Sequence, residues 1–100
     1  MPLVVYLPEA LDDLVRLRDF LAESDLFAAN ETALLITDAV NILANHPLVG
    51  RHAGGHWREL VVSRGRSGYV ALYQYDERED QVNVAAIRHQ REAGYDPDQR

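Results

Sequence analysis

The sequence predicts an α+β fold with the order β-α-α-β-β-β, in which an N-terminal helical hairpin packs on a small antiparallel sheet. Apolar residues recur at helical spacing between residues 8 and 45, and three strand-like segments follow residue 56. With 100 residues, of which 47% are hydrophobic, the chain is expected to form a single domain over residues 1–95. Residues 96–100 are expected to fray as a tail.

One strand and two helices are predicted in the first half. The run LVVYL, residues 3–7, predicts a strand, and Pro8 suits the first turn of a helix. That helix is predicted to reach about Ala22, because four apolar residues recur at helical spacing: Ala10, Leu14, Leu17 and Leu21. Asp12 and Asp13 are interpreted as charges near the positive end of its dipole.

The second helix is predicted to start at a cap provided by Ser24 or Asp25. Its apolar face is predicted to comprise Ala29, Ala33, Ile36, Val40 and Leu43. The sequence NHP at residues 45–47 ends it, because a residue before proline is excluded from helical backbone angles. Residues 48–56 are predicted to form a loop.

Three strands joined by hairpins are predicted at residues 57–64, 68–76 and 81–89. In the second of them, alternation places Tyr69, Ala71, Tyr73 and Tyr75 on one face. In the third, it places Val82, Val84 and Ala86 opposite Asn83, Ala85 and Ile87.

Composition limits the classes of function. The net charge is −6, all of it carried by residues 1–50, and every basic residue is an arginine. An acidic chain is a poor candidate for broad phosphate binding, but arginines in the second half favour specific anion contacts. Without cysteine, thiolate chemistry and disulfides are excluded, which is compatible with a cytoplasmic protein. No run is expected to be long enough to cross a bilayer.

Familiar catalytic and metal motifs are weak. His52 and His56 are spaced i, i+4, but across the sequence HAGGH, which is a poor helix, so neither a metal nor another cofactor is predicted. The serines lack a nucleophile-elbow motif. The acids Glu77, Glu79 and Asp80 are interpreted as a solvated turn.

The arginines of the second half are the remaining candidates for a functional site. Arg58 opens the first C-terminal strand and Arg88 closes the third, so strand direction places these two at opposite ends of the sheet. The GRSG hairpin lies at the same end as Arg88. An anion-binding or target-binding group is therefore predicted from Arg64, Arg66, Arg88 and Arg91, with His89 beside them. The alternative is that these are edge and turn arginines that keep the sheet soluble.

The order of elements, together with NHPLVGR, WREL, GYVALYQYD and VAAIRHQREAGY, resembles the RelE/ParE superfamily of type II toxins. This resemblance covers about residues 4–95. It implies one of two activities: RelE-like cleavage of messenger RNA at the ribosome, or ParE-like inhibition of DNA gyrase. RelE-like cleavage would be acid–base catalysis, for which the matching positions are Arg58, His89, Arg91 and Tyr95. Two basic positions of that pattern are Leu60 and Val70 here, which favours the gyrase activity. Tyr95 could instead anchor the tail by packing on the sheet.

The resemblance also implies a partner. A cognate antitoxin is expected to cover the helices, the sheet edge and the basic patch, forming a hetero-oligomer in the cytoplasm without membrane attachment. A third possibility is a non-toxic module that only pairs with the antitoxin.

Overall fold

The structure is a computed structural model, and it describes residues 1–64 and 67–90, without the side chains of residues 63, 64 and 67. Within this part, two helices pack on a five-stranded sheet, which confirms the predicted fold class and element order. The elements are β1 Leu3–Tyr6, α1 Pro8–Ala22, α2 Leu26–Asn41, a 3₁₀ turn Ile42–Ala44, β2 Arg51–His52, β3 Trp57–Arg64, β4 Ser67–Asp76 and β5 Gln81–His89. The tail of residues 96–100, predicted to fray, lies outside the described residues.

The strand order is β1-β5-β4-β3-β2, so the first and last strands are neighbours. β1 runs parallel to β5, while the other neighbouring strands are antiparallel. The sheet is therefore not wholly antiparallel. The prediction of a loop over residues 48–56 was wrong for β2, because a strand of two residues is too short for alternation to reveal it.

Both helices begin as local chemistry predicts. Pro8 occupies the first turn of α1, and the N–H of Leu7 still donates to the Val84 carbonyl at 2.9 Å, so β1 leads directly into the helix. Asp25, rather than Ser24, caps α2, since its carboxylate accepts from the N–H of Ala28 at 3.1 Å.

A bulge in β5 decides which of its residues face the helices. Leu72 pairs with Ala86 but Tyr73 pairs with Val84, so Ala85 is an extra residue without a partner of its own. The prediction that Ile87 lies opposite Val82 and Val84 was therefore wrong. All three are fully buried in one core, whose main members are Leu17, Ile36, Val40, Leu43, Val62, Tyr69, Tyr73, Val82, Val84 and Ile87.

The segment Leu26–Ala44, which contains α2, is long and apolar enough to pass for a membrane span, with 19 residues and a hydropathy of 1.3. This corrects the expectation that no run reaches that length. One stripe of the segment, including Ile36 and Val40, packs in the core. Other apolar side chains of the segment, including Phe27 and Leu34, are exposed on its outer side.

Asp13 joins α1 to β5. β1 pairs with β5 only over residues 81–84, so the edge of β5 loses its strand neighbour beyond Val84. There the Asp13 carboxylate accepts the N–H of Ile87 at 3.0 Å and forms an ion pair with Arg88. Asp13 is only 7% exposed. Interpreting it as a helix-dipole charge was wrong, because it replaces a missing strand partner.

We predict that Asp13→Ala lowers the free energy of unfolding by about 1–3 kcal/mol, because it leaves a buried N–H without an acceptor and Arg88 without its counter-charge. Asp13→Asn should lower the free energy of unfolding by less, since its amide oxygen can still accept the N–H of Ile87. Urea unfolding followed by circular dichroism measures both effects. The control is Asp12→Ala at the neighbouring exposed position, and equal midpoints for the two alanine variants would show that Asp13 has no such role.

Tyr6 carries a hydroxyl that is buried and has no hydrogen-bond partner among the described residues. Burial raises its pKa from 10.0 to about 12. Between these values the folded chain holds a proton that the unfolded chain releases, so the free energy of unfolding falls as the pH rises through this range.

Tyr6→Phe is expected to keep or slightly increase stability at neutral pH, because it removes an unpaired buried hydroxyl. It should also reduce the loss of stability between about pH 10 and pH 12. Thermal unfolding of both proteins across this range measures the difference. The loss that remains in the variant reports Tyr73 and Tyr75, whose pKa values are also raised. Parallel curves for the two proteins would contradict the assignment to Tyr6.

Candidate functional site

Arg58 holds the chain between α2 and β3 in place. Its Nη1 donates to the carbonyl oxygens of Leu48 at 3.0 Å and Gly50 at 2.8 Å. The N–H of Gly50 donates in turn to the Tyr73 hydroxyl at 2.8 Å. Glycine is required there, because an added Cβ would lie 2.5 Å from that hydroxyl oxygen. The N–H and the carbonyl of Gly50 are thus both hydrogen-bonded to side chains of the sheet.

The remaining donors of Arg58 face a cavity of about 200 Å³ that is lined by Leu48, His52, Gly55, His56, Arg58, Tyr75 and Glu77. Nη2 of Arg58 lies 3.4 Å from Nε2 of His52, so the imidazole accepts if that nitrogen is unprotonated. These residues bring basic and acidic groups together at the start of β3, which the sequence spacing alone did not predict.

The acidic turn between β4 and β5 reduces the anion affinity of this cavity. The Tyr75 hydroxyl donates to the Asp80 carboxylate at 2.6 Å. The pKa of Tyr75 is raised, mainly by this hydrogen bond, and also by burial and by the charges of Asp80, Glu77 and Asp76. Since these carboxylates favour a protonated phenol, they also disfavour a phosphate at the same end of the sheet.

Arg88 and His89 lie at the other end of the sheet. Arg58 on β3 pairs with Tyr73 on β4, and Tyr73 pairs in turn with Val84 on β5. Arg88 pairs with Val70, which is three residues from Tyr73 along β4, or about 10 Å. The strand register therefore places Arg58 and Arg88 toward opposite ends of the sheet, as predicted. Arg58 does not share a site with the group that was predicted around Arg88.

The predicted anion-binding group is described only in part. Arg88 is paired with Asp13, and the His89 ring stands edge-on to Tyr69 with centroids 5.5 Å apart. The backbone of Arg64 ends β3 at the same end of the sheet, where it pairs with Ser67. Arg66, Arg91 and Tyr95 lie outside the described residues, so the grouping of all four arginines stays a prediction.

The two apolar replacements in the RelE-like pattern are packing residues. Val70, at the middle of the sheet between Val61 and Arg88, is only 3% exposed. Leu60 packs against the core. Neither position can offer a charge to a phosphate, because both side chains are apolar and take part in the packing of the sheet.

Asp13 is the residue in this region that the sequence interpretation missed. Its position was visible in the pattern, because it follows Ala10 by three residues and precedes Leu17 by four, so it shares their buried face. Within residues 1–64 and 67–90, no three His, Asp or Glu side chains are placed to hold a metal ion.

Residues 4–94 match the family model described as the ParE toxin of the type II toxin–antitoxin system parDE. The chain belongs to this toxin family. Membership in the RelE/ParE superfamily, predicted from the order of elements, is confirmed. The chain is thus a type II toxin by family, with the fold described above.

Two curated relatives come from Caulobacter vibrioides. Toxin RelE3 is 40% identical over 82 residues, which cover 82% of this chain and 87% of that protein. Toxin RelE2 is 36% identical over 89 residues, which cover 89% of this chain and 96% of that protein. Both alignments span most of each chain, so the likeness is not confined to one motif.

Two solved structures share the fold. A chain of the chromosomal ParDE system from P. aeruginosa superposes with a TM-score of 0.75 at 17% identity, covering 89% of this chain and 96% of that one. At this identity the match shows the fold alone. A chain of the RelBE2 toxin–antitoxin complex from Mycobacterium tuberculosis gives 0.52 at 26% identity, covering 89% of this chain and 99% of that one.

We expect Arg58→Ala to lower the free energy of unfolding by about 1–3 kcal/mol, because the carbonyls of Leu48 and Gly50 lose a charged donor. Arg78→Ala, at an exposed position in the turn between β4 and β5, is the control and should change stability by less than about 0.5 kcal/mol. Urea unfolding measures both. An Arg58→Ala protein as stable as the control would indicate that Arg58 serves the target and not the fold.

Proposed function

We propose that this toxin arrests growth by binding and inhibiting DNA gyrase, as the ParE-like activity implies, and that a cognate antitoxin neutralises it in the cytoplasm. The observation that carries the proposal is the state of Arg58. Its Nη1 donates to the carbonyls of Leu48 and Gly50 and its Nη2 lies beside His52, which supports a role in the fold over a role in binding phosphate.

Acid–base cleavage of RNA needs groups that move a proton and others that stabilise a phosphate transition state, gathered within hydrogen-bond reach of one bond. The positions that would supply them are divided between the two ends of the sheet, at Arg58 and at His89. Val70 and Leu60 contribute no charge between them. This arrangement supports inhibition through binding in preference to catalysis.

RelE-like cleavage of messenger RNA is the second candidate. It is favoured by the curated relatives, which carry the names RelE3 and RelE2 at 40% and 36% identity. Under this alternative, His89, Arg91 and Tyr95 would act together at the end of β5, with Arg58 as a distant member.

The antitoxin part of the proposal is supported by the matched structures, which are a ParDE system and a RelBE2 toxin–antitoxin complex. It is also supported by the exposed apolar side chains on both helices, which a lone soluble domain leaves uncovered at a cost in solubility. A partner that wraps the helices would remove this surface from water.

Induced expression in bacteria, followed by two reconstituted assays, tests the proposal. We expect growth arrest with filamentation and DNA damage, and inhibition of gyrase supercoiling by the purified chain, while labelled messenger RNA on translating ribosomes stays intact. Coexpression of the adjacent reading frame should restore growth.

Tyr95→Phe separates the two activities, because it removes the phenolic proton that RelE-like acid–base catalysis would use. We expect the variant to inhibit gyrase and growth as strongly as the unchanged chain. Cut messenger RNA that becomes intact with Tyr95→Phe would instead establish the ribonuclease. A chain that leaves growth unaffected would support the non-toxic antitoxin-binding module.

A further inference from the structure

The outer face of the helical hairpin carries an apolar strip that the sheet does not cover. Its members are Leu11, Val15, Phe27 and Leu34, which are 49%, 56%, 72% and 63% exposed. We call these four residues the hairpin strip. Leu11 and Val15 are one turn apart on α1, and Phe27 and Leu34 are two turns apart on α2, so each pair lies along one side of its helix.

The hydrogen bond between Arg18 Nε and Asn30 Oδ1, at 3.0 Å, fixes how the two helices lie side by side. Because the helices are antiparallel, a residue three positions before Arg18 on α1 lies level with a residue three or four positions after Asn30 on α2. This places Val15 level with Leu34 across the outer groove. Val15 and Leu34 therefore lie side by side, and the Arg18–Asn30 pair lies between them and Phe27 along the hairpin.

Acidic residues border the hairpin strip on both sides. Asp12 and Asp19 on α1 are seven residues apart, as are Glu31 and Asp38 on α2, so each pair lies about 10 Å apart along one side of its helix. By the same register, Asp12 lies level with Asp38 and Asp19 with Glu31. Arg18 offsets part of this charge, since it contacts Asp19 at 3.5 Å. The border as a whole is negative.

We propose that the antitoxin binds the hairpin strip through an amphipathic helix with an apolar stripe flanked on both sides by Lys or Arg. This inference rests on the proposed antitoxin partner, which is already expected to cover the helices, and adds the residues contacted and the charge of the segment. Charge complementarity carries it, because acids on both sides of an apolar groove favour cations at both flanks of the inserted helix. Long basic side chains also cover apolar surface with their stems while their charges reach the acids.

The wider charge distribution agrees with this choice of partner. The whole net charge of −6 resides in residues 1–50, which form β1 and the hairpin, while residues 51–100 balance to zero. An acidic segment would be repelled by the hairpin, so the hairpin strip selects against it. The expected partner segment is therefore opposite in charge to one that would bind the predicted arginine group near Arg88.

Charge reversal tests the proposal. The double variant Asp12→Lys with Asp38→Lys should weaken binding of the protein encoded by the adjacent reading frame by about tenfold or more, measured by calorimetry. Rising salt should weaken the unchanged complex and affect the variant less. The matched control is Glu9→Lys with Glu79→Lys, which changes the net charge equally at exposed positions outside the hairpin strip, its acidic border and the cavity around Arg58.

Leu34→Ser is the second variant, and it tests the apolar part without changing charge. Its side chain is exposed, so the fold should persist, and growth arrest without antitoxin reports that persistence for every variant. We expect Leu34→Ser to weaken antitoxin binding as well. Hydrogen exchange in the complex should slow on the outer side of both helices.

The proposal is overturned if the Asp12 and Asp38 reversal weakens binding no more than the control pair. It is also overturned if the hairpin strip mediates self-association of the chain, detected as a mass in solution that Leu34→Ser halves, or if it binds lipid vesicles instead of the antitoxin. Neutralisation that is unaffected by the reversals leaves the proposed function intact and removes only this inference. If the adjacent protein neither binds nor restores growth, the proposed partner itself fails.

Discussion

The contact of Asp13 with β5 is the interaction on which the joining of the two layers depends. A buried carboxylate costs free energy unless hydrogen bonds and an opposite charge compensate it. Both compensations come from consecutive residues, the N–H of Ile87 and the guanidinium of Arg88. The bulge at Ala85 puts Ile87 among the core residues, so the helix position, the strand register and the pairing of Arg88 are linked.

Three described arginines of the second half contact other groups of the chain. Arg58 binds backbone carbonyls and Arg88 binds Asp13, while Arg51 contacts Glu59 at 3.7 Å. An arginine engaged in this way has some of its donors used or its charge partly offset, so it contributes less to the recognition of an external phosphate. The predicted anion-binding group is then left with Arg64, Arg66 and Arg91, which belong in sequence to the β3–β4 hairpin and the segment after β5, and their role stays a prediction.

Sequence patterns predicted the elements whose signal is local. Pro8 and the spacing of Leu14 and Leu17 gave α1, and alternation gave β3, β4 and β5 to within a residue. The bulge at Ala85 could not be predicted, since alternation continues through an extra residue and only the register with β4 reveals it. The parallel pairing of β1 with β5 was equally hidden, because it joins segments that lie far apart in the chain.

The candidate site was predicted less well than the fold because a residue type does not report its partner. Arg58 has the right identity for a catalytic position, yet it donates to carbonyls of a loop that lies eight and ten residues earlier. Asp13 is the converse case: its spacing indicated burial, but its acidic character near a helix start suggested a dipole role. Partners that are distant in the chain decide the roles of Arg58 and Asp13. Residue spacing alone does not reveal those partners.

The acidic border of the hairpin strip and the predicted arginine group constrain how one antitoxin could neutralise this toxin, because they favour partner segments of opposite charge. The hairpin strip lies on the outer face of the helices, whereas the predicted arginine group lies at the end of the sheet that includes Arg88. A basic helix on the strip would leave that end accessible, so blocking the target would need a second, acidic segment of the same partner. A linker between the basic helix and the acidic segment raises the effective concentration of the acidic segment near its site once the helix is bound. Cleavage of the linker would then restore toxicity without releasing the helix, which distinguishes tethered neutralisation from simple masking.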